Sequence, residues 1–497
     1  MLDVYGHFLA QVARTPQAAA IREGEVVQSY ADLDHRIRAL AVAIAGMGVG
    51  RGDRIAILSE NRREYVELVL AAAWLGAIVA CQNWRLAVPE LRHCIGLVAP
   101  RLVVVSRRFT GNLREAASDL PVIVIEDDWE RLIADAPHEP HRPEVESEDG
   151  LLILYTSGTT GLPKGALISH RAEVSRMAIA NIDLSTRGKG FVAWAPMFHM
   201  ASTDQMLGTL MSGGIVHVCD GFDPEAIMRI VETEELGWLF LVPGSIEPLL
   251  ELLEQGRSVR GVRVVGAMAD LVPRSVIARM SDLCGAPFLN SFGSTETGLA
   301  PLSGGLVDGE TVSRGLSKRP SALCAFRLVD AEGNDVEPGG IGEGAIRGPS
   351  VFSGYWAADE TNARDFADGW FRMGDLFRQN PDGSYDFVDR AKYMIKSGGE
   401  NIYPAEIERV LLADARIEDA IVVRKSDARW GEVPVALVAR RDETLGDADV
   451  EALCRAELAG YKRPREVHFI SAAEFRRSTT GKILRSEMEA WLRDRQG

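Results

Sequence analysis

The chain has no Cys-x-x-Cys pair, no apolar run long enough to cross a membrane, and no surplus of positive charge. Each absence removes a class of function. The six cysteines (81, 94, 219, 284, 324 and 454) are scattered, which suits reduced thiols in a cytoplasmic protein better than a disulfide scaffold or a zinc site. The most apolar segment, Val66 to Cys81, is interrupted by Glu67 and by Trp74-Leu75-Gly76 and divides into a helix followed by a strand. Met1 to Gln17 lacks a basic leader and a continuous apolar centre, so it reads as an amphipathic helix rather than a signal peptide. No membrane span is expected. A net charge of −16 argues against nucleic acid or an anionic membrane as partner. Repeats, coiled coils and low-complexity tails are missing as well.

What remains is an ordinary globular composition, 46% hydrophobic and 25% charged, on 497 residues. That length exceeds one ordinary core, so two or more domains are expected. Helical and strand patterns alternate from the N-terminus. Strands are expected at Ala19–Ile21, Val26–Val27, Arg54–Leu58, Gly76–Cys81, Leu102–Val105 and Pro121–Ile125. Between them lie helices capped by Ser29, running from Arg63 to Leu75, and opening on Pro89. Residues 135–149, rich in Pro, Glu and His, read as an exposed loop. The alternation resumes with strands near 191–195, 215–219, 238–242, 262–266 and 287–291. The fold class is therefore α/β, with two wound lobes. From Gly304 to Asp389 short alternating runs and turns suggest a small β-barrel, and the last hundred residues carry a separate α+β pattern.

Between the two lobes lies Leu151-Leu-Ile-Leu-Tyr155, a short apolar run that reads as a buried strand. Thr156-Ser157-Gly158-Thr159-Thr160-Gly161-Leu162-Pro163-Lys164-Gly165 follows it. Four hydroxyls and three glycines let the backbone approach and hydrogen-bond an anion, and one lysine adds point charge. A polyphosphate requires that combination. No Gly-Lys-Ser/Thr stands at Walker spacing, and composition alone would permit a plain surface loop. The order of residues resembles the phosphate loop of the adenylate-forming superfamily, which includes acyl-CoA synthetases, peptide-synthetase adenylation domains and luciferases.

Four further motifs follow in that family's order. Asn290-Ser291-Phe292-Gly293-Ser294-Thr295-Glu296-Thr297-Gly298 puts a carboxylate just beyond a strand end, where it can hold Mg²⁺ against ATP phosphates. On its own, Ser-Thr-Glu-Thr reads more readily as a helix capping box. By resemblance Thr295 contacts the α-phosphate, Glu296 the metal, and Asn290 to Ser294 lie beside the nucleotide and the acyl group. In Gly369-Trp370-Phe371-Arg372-Met373-Gly374-Asp375, Asp375 can accept from both ribose hydroxyls or serve as a turn aspartate; Met373 stands where the family has Thr or Ser. Asp389-Arg390-Ala391-Lys392-Tyr393-Met394-Ile395-Lys396-Ser397-Gly398-Gly399-Glu400 resembles the hinge segment. There Arg390 would contact ribose, Lys392 would mark the hinge, and Lys396, Ser397, Gly398 and Gly399 would approach the pantetheine arm of CoA. Tyr393 departs from the commoner Asp, Glu or Ser. Without its companions this segment would read as a basic surface strand before a helix opened by Pro404. Thr479-Thr480-Gly481-Lys482, otherwise a solvated tail, matches the family's catalytic lysine loop.

The acyl group is placed among Trp194, His199, Asp204, Val242, Gly266, Ala267, Met268, Ala269 and Phe292. His199 follows Pro196-Met197-Phe198 and would gate the acyl pocket and CoA tunnel; a lone histidine among aromatics is otherwise a packed core residue. The family often continues with glycines where this chain has Met200 to Asp204. The resemblance implies an ATP-dependent carboxylic acid–CoA ligase that forms acyl-AMP and then acyl-CoA, with ATP, Mg²⁺ and CoA as cofactors. Its catalytic group would be Lys482, Lys396, Thr295, Glu296 and His199; its nucleotide contacts would run from Thr156 through Thr160 and Lys164 to Asn290–Thr295, Asp375, Arg390 and Lys482. It further implies residues 1–391 as the adenylate-forming domain, residues 392–497 as a mobile domain turning about Lys392, and a monomer or homodimer. Alternatives are a member confined to thiolating a supplied adenylate, an enzyme loading a separate carrier protein, and a luciferase-like oxygenase.

Overall fold

The computed structural model describes residues 3–117, 119–136, 142–156, 162–312, 315–398, 400–477 and 483–495. Its chain separates into two units, one of Met1–Phe326 with Ile346–Phe371, the other of Arg327–Ala345 with Arg372–Gly497. No helix among the described residues is long and apolar enough to cross a membrane.

The first unit holds two wound sheets. One has six strands in the order Val122–Val124, Leu102–Val105, Arg54–Leu58, Ile78–Cys81, Gly150–Thr156, Lys164–Ser169. The first five are parallel, as the helix–strand alternation implies. The sixth runs antiparallel, paired with the strand Gly150–Thr156 that precedes it in sequence. Helix Arg63–Leu75 is almost wholly buried, and its one fully buried acid, Glu67, is satisfied by Gln28, Arg36 and Trp129. The Ser29 cap forms as expected, with Asp32 completing the box before helix Tyr30–Gly46.

The second sheet has eight strands in the order Leu306–Val307, Phe288–Leu289, Gly261–Val265, Glu235–Leu239, Gly190–Ala193, Val216–Val218, Ala19–Glu23, Val26–Ser29. Its last two members come from the N-terminus: Ile21 pairs in parallel with Val216. The two lobes are thus not consecutive in sequence. A local pattern identifies that hairpin but carries no information about which sheet edge it completes. Hairpin Phe366–Ala367 with Trp370 and Phe371 packs a Phe352–Tyr355–Phe366–Phe371 aromatic cluster.

In the second unit, strand residues Asp375 to Gln379 pair antiparallel with Tyr385–Arg390. A separate sheet orders Glu400–Ile402, Ile395–Ser397, Gly431–Arg440 and Ile417–Asp427, with Glu466–Phe469 parallel to Gly431–Arg440. Helices Pro404–Leu412 and Asp447–Glu457 cover one face through Ile407, Leu411, Val450 and Cys454. Helix Arg485–Asp494 covers the other through Met488 and Leu492. These are the two faces of an α+β sandwich.

Candidate active site

The phosphate hairpin is held by a backbone requirement. Thr156 pairs directly with Lys164, so the strands bring both expected phosphate contacts to one end of the sheet. A Cβ on Gly165 would lie 2.7 Å from Ile153 Cγ2, which excludes any larger residue unless Ile153 shifts. The Lys164 ammonium sits 3.8 Å from the centroid of the Tyr355 ring, a cation–π contact. Ser157, Gly158, Thr159 and Thr160 lie outside the described residues.

The Thr-Glu segment is a tight turn between Gly293–Ser294 and Gly298–Pro301, and no helix starts there, which removes the capping-box alternative. Gly293 is obligatory, since its Cβ would fall 1.9 Å from the Gly298 carbonyl oxygen. The Ser294 N–H donates to Thr297 Oγ1 at 3.1 Å, closing the turn. The Glu296 backbone carbonyl accepts from the Phe352 N–H at 2.8 Å, and its carboxylate Oε1 accepts from the Tyr355 hydroxyl at 2.7 Å. Arg176, only 3% exposed, donates from Nη2 to the Thr295 carbonyl at 2.9 Å.

Arg176 also explains Asp204. Both Asp204 oxygens accept from Arg176 Nη1, at 3.2 and 3.1 Å, so this carboxylate is directed to an arginine and away from an acyl-lining role. Glu173, fully buried, lies 3.6 Å from the same nitrogen. Desolvation pushes the Glu173 carboxyl well up, with Asp204 adding to the effect, and Asp204 is raised by the same burial. One guanidinium thus faces two buried acids, and burial together with the nearby Asp204 charge favours the proton on Glu173.

Asn290 is likewise committed to the protein. Its amide donates to the Leu316 and Ser317 carbonyls at 2.9 and 3.2 Å, and its Oδ1 accepts from Lys318 at 2.7 Å. Lys318 is fully buried and ion-paired with Asp270 at 2.6 Å. Ser291 accepts from the Met268 N–H at 3.3 Å, joining the 266–269 turn to the 290–294 turn. Met268 holds φ 54°, a left-handed conformation that such a residue adopts only under constraint. Gly266 is required: its Cβ would meet the Phe288 ring at 2.1 Å. Its carbonyl accepts from Trp238 Nε1 at 2.7 Å, Trp238 packs edge-on against Phe240 at 5.3 Å, and Trp194 donates to the Phe240 carbonyl at 2.7 Å. An aromatic wall therefore ends on Gly266, while Ala267 and Ala269 are buried, Val242 caps helix Pro243–Glu254 and Phe292 is half-buried.

His199 caps helix Met200–Met211, its Nδ1 accepting from the Ala201 N–H at 3.2 Å. Burial lowers its pKa to about 4, so the imidazole is neutral at physiological pH. Sequence reasoning missed Asn61, a buried amide that donates to the carbonyls of Ala193, Ala195 and Cys219 and accepts from the Met197 N–H, pinning the turn before His199. It missed Trp84 too, which meets Phe198 edge-on at 6.3 Å and carries the guanidiniums of Arg85 and Arg108 over its ring.

In the second unit Asp375 and Arg390 face each other across the hairpin, with Arg390 Nε 3.0 Å from Asp375 Oδ1. The two expected ribose contacts are thus adjacent. Lys396 is exposed, Ser397 buried, and the Gly398 N–H donates to the Trp430 carbonyl at 2.8 Å. Gly398 has φ 59°, and its Cβ would lie 2.5 Å from the Trp430 ring, so glycine alone fits. Arg429 and Arg465 lie over that ring at 4.7 and 5.9 Å. Gly399 and Lys482 lie outside the described residues. Where the chain continues past Lys482, Arg485 anchors it: Nη1 and Nη2 reach Glu408 at 2.6 and 3.1 Å, and the guanidinium lies 4.8 Å from the Tyr393 ring.

Among the described residues no three or more metal-ligating side chains come together. A single carboxylate, Glu296, to whose Oε2 no described residue donates, suits a Mg²⁺ that arrives with ATP and keeps phosphate and water as its other ligands.

Paired wound sheets, a glycine-dependent phosphate hairpin and a Thr-Glu turn at the strand ends define an adenylate-forming enzyme. The model of the AMP-binding enzyme family matches residues 8–356, and that of the AMP-binding enzyme C-terminal domain matches residues 406–482. The chain is 34% identical to the indoleacetate–CoA ligase of Aromatoleum aromaticum over 95% of each chain. It is 34% identical to a feruloyl-CoA synthase of Amycolatopsis, covering 95% of this chain and 96% of that one. The o-succinylbenzoate CoA synthetase of Bacillus subtilis, solved with its acyl-adenylate intermediate, superposes with a TM-score of 0.86 at 24% identity over 97% of each chain and so shares the fold. The chain belongs to the AMP-binding enzyme family, within its acyl-CoA synthetases.

Proposed function

We propose that this ligase activates an aromatic carboxylic acid and transfers it to CoA. It is an AMP-forming acid–CoA ligase that uses ATP with Mg²⁺ and CoA. The observation that carries the aromatic reading is the Trp194–Phe240–Trp238 wall ending on Gly266. Flat rings bury large area against such a wall at small entropic cost. Two relatives at 34% identity take indoleacetate and ferulate, both aromatic.

A carboxylate oxygen of the acid attacks the α-phosphorus, and the bond to pyrophosphate breaks. The CoA sulfur then attacks the carbonyl carbon of the mixed anhydride, and AMP leaves with the bonding pair. Thr156 to Thr160 and Lys164 hold phosphates, Thr295 the α-phosphate and Glu296 the Mg²⁺ that accompanies ATP. Asp375 and Arg390 hold ribose, Ser291 to Ser294 flank adenine and acyl group, and neutral His199 gates the acyl side. Lys482 orients the carboxylate against the charge that develops in the transition state. Lys396, Ser397, Gly398 and Gly399 face pantetheine, with the division of labour falling at Lys392. CoA is the acceptor in preference to a carrier protein: Trp430 with Arg429 and Arg465 beside Gly398 supplies an aromatic face and positive charge suited to a nucleotide phosphate. Six free cysteines fit work in the cytoplasm.

The test is steady-state kinetics on matched aryl and aliphatic acids with ATP, Mg²⁺ and CoA. Aryl acids are expected to exceed aliphatic acids of equal length by at least about tenfold in kcat/KM, the scale of one or two mismatched groups in an apolar pocket. Preference for aliphatic acids would refute the aromatic assignment.

A further inference from the structure

The segment from Phe352 to Trp356 carries no motif of its own, yet it touches both parts of the phosphate site. Its backbone holds the phosphate hairpin on one side: the Leu167 N–H donates to the Gly354 carbonyl at 3.0 Å and the Trp356 N–H to the Gly165 carbonyl at 2.7 Å. On the other side the Phe352 N–H holds the Glu296 carbonyl at 2.8 Å. Between these anchors stands Tyr355. Its hydroxyl donates to Glu296 Oε1 at 2.7 Å, and its ring underlies the Lys164 ammonium at 3.8 Å. Asn362 fixes its backbone from both ends, with Oδ1 accepting from the Tyr355 N–H at 2.7 Å and Nδ2 donating to its carbonyl at 2.8 Å. The Phe352 ring meets the Tyr355 ring edge-on at 4.9 Å.

From this geometry we infer that Tyr355 is a positioning residue for Mg²⁺-bound ATP: one side chain fixes the spacing between the phosphate lysine and the metal carboxylate. The inference rests on the assignment of Glu296 and Lys164 made above. The phenol occupies Oε1 and would leave Oε2 for Mg²⁺, while the ring lies against the lysine ammonium. An acidic partner in place of Tyr355 would hold Lys164 by a salt bridge and compete with phosphate; an aromatic face does not. The two contacts are separable, because phenylalanine keeps the ring and loses only the hydroxyl.

Equilibrium binding by calorimetry on Tyr355→Phe, Tyr355→Leu and the parent protein tests this. Tyr355→Phe is expected to weaken MgATP on the order of tenfold, the effect of one hydrogen bond to a charged group, and to leave AMP binding unchanged. Tyr355→Leu adds a further loss for ATP even without Mg²⁺, because the support under Lys164 is gone. In a Glu296→Gln background, Tyr355→Phe has no additional effect on MgATP. Unchanged MgATP affinity in Tyr355→Phe would overturn the inference, as would equal weakening of AMP and MgATP, which marks a purely structural role. A parent protein that binds AMP but gains nothing from Mg²⁺ when binding ATP would overturn the assignment of Glu296 itself.

Discussion

Two carboxylates stand at the ends of one path through the first unit, Glu296 to Thr295 to Arg176 to Asp204. Glu296 is half-buried, has one neutral donor on Oε1, and none from the described residues on Oε2. Asp204 is 4% exposed and both its oxygens are engaged by Arg176. The same functional group is held by one oxygen in one place and by both in the other because of what surrounds it. A charge that is desolvated and fully paired has nothing left to offer a ligand, whereas one held by a single phenol on one oxygen keeps a second edge for a ligand.

The largest effect expected along this path belongs to Glu296→Gln. It should lower the rate of pyrophosphate-forming adenylation on the order of a hundredfold while AMP affinity is kept, measured by pyrophosphate exchange and by calorimetry. Equal loss of both would place Glu296 with Asp204 as a structural group. Next is Arg176→Met, which strands Asp204 as an uncompensated buried charge and releases the Thr295 carbonyl. Urea unfolding should show a loss of about 3–5 kcal/mol, with a fall in kcat for ATP-dependent adenylation in the surviving folded fraction.

Glu173→Gln sharpens the comparison through pH. Burial and the Asp204 charge raise the Glu173 pKa above its unfolded value, so between the two values the folded protein binds a proton that the unfolded chain has released. Stability from that proton is full below the unfolded pKa and declines as pH rises toward the elevated folded value. The glutamine variant should therefore lose less stability than the parent between pH 5 and pH 8 in urea titrations. A steeper loss in the variant would contradict a protonated Glu173. The smallest effect belongs to His199→Asn. With its pKa held at about 4, His199 does not titrate between pH 6 and 8, so parent and variant should share the same shape of kcat–pH profile there even if the rates differ by a few fold.

The family motifs were legible because they come in a fixed order along the chain, and two of them fall on strands that pair in a hairpin. The structure adds that Thr156 lies opposite Lys164 and Asp375 opposite Arg390, register partners that the motifs name only one by one. The roles of Asp204 and Asn290 were not legible, because their partners Arg176 and Lys318 sit 28 residues away on other elements. Nothing in the sequence near a buried acid says which distant cation it will meet. Asn61, Trp84 and Tyr355 escaped for the same reason: each acts by joining segments that only the tertiary fold brings together. The placement of the Ala19–Ser29 hairpin on the second sheet is another long-range choice, fixed by the parallel pairing of Ile21 with Val216.

The most direct measurement follows oxygen. An aryl acid carrying ¹⁸O in both carboxylate positions is incubated with the protein, ATP, Mg²⁺ and CoA, and the products are weighed by mass spectrometry. The account predicts aryl-CoA with one labelled oxygen and AMP with the other, because the carboxylate oxygen that attacks phosphorus stays on the phosphate when the thioester forms. Unlabelled AMP, or ADP with labelled inorganic phosphate, would contradict an acyl-adenylate route.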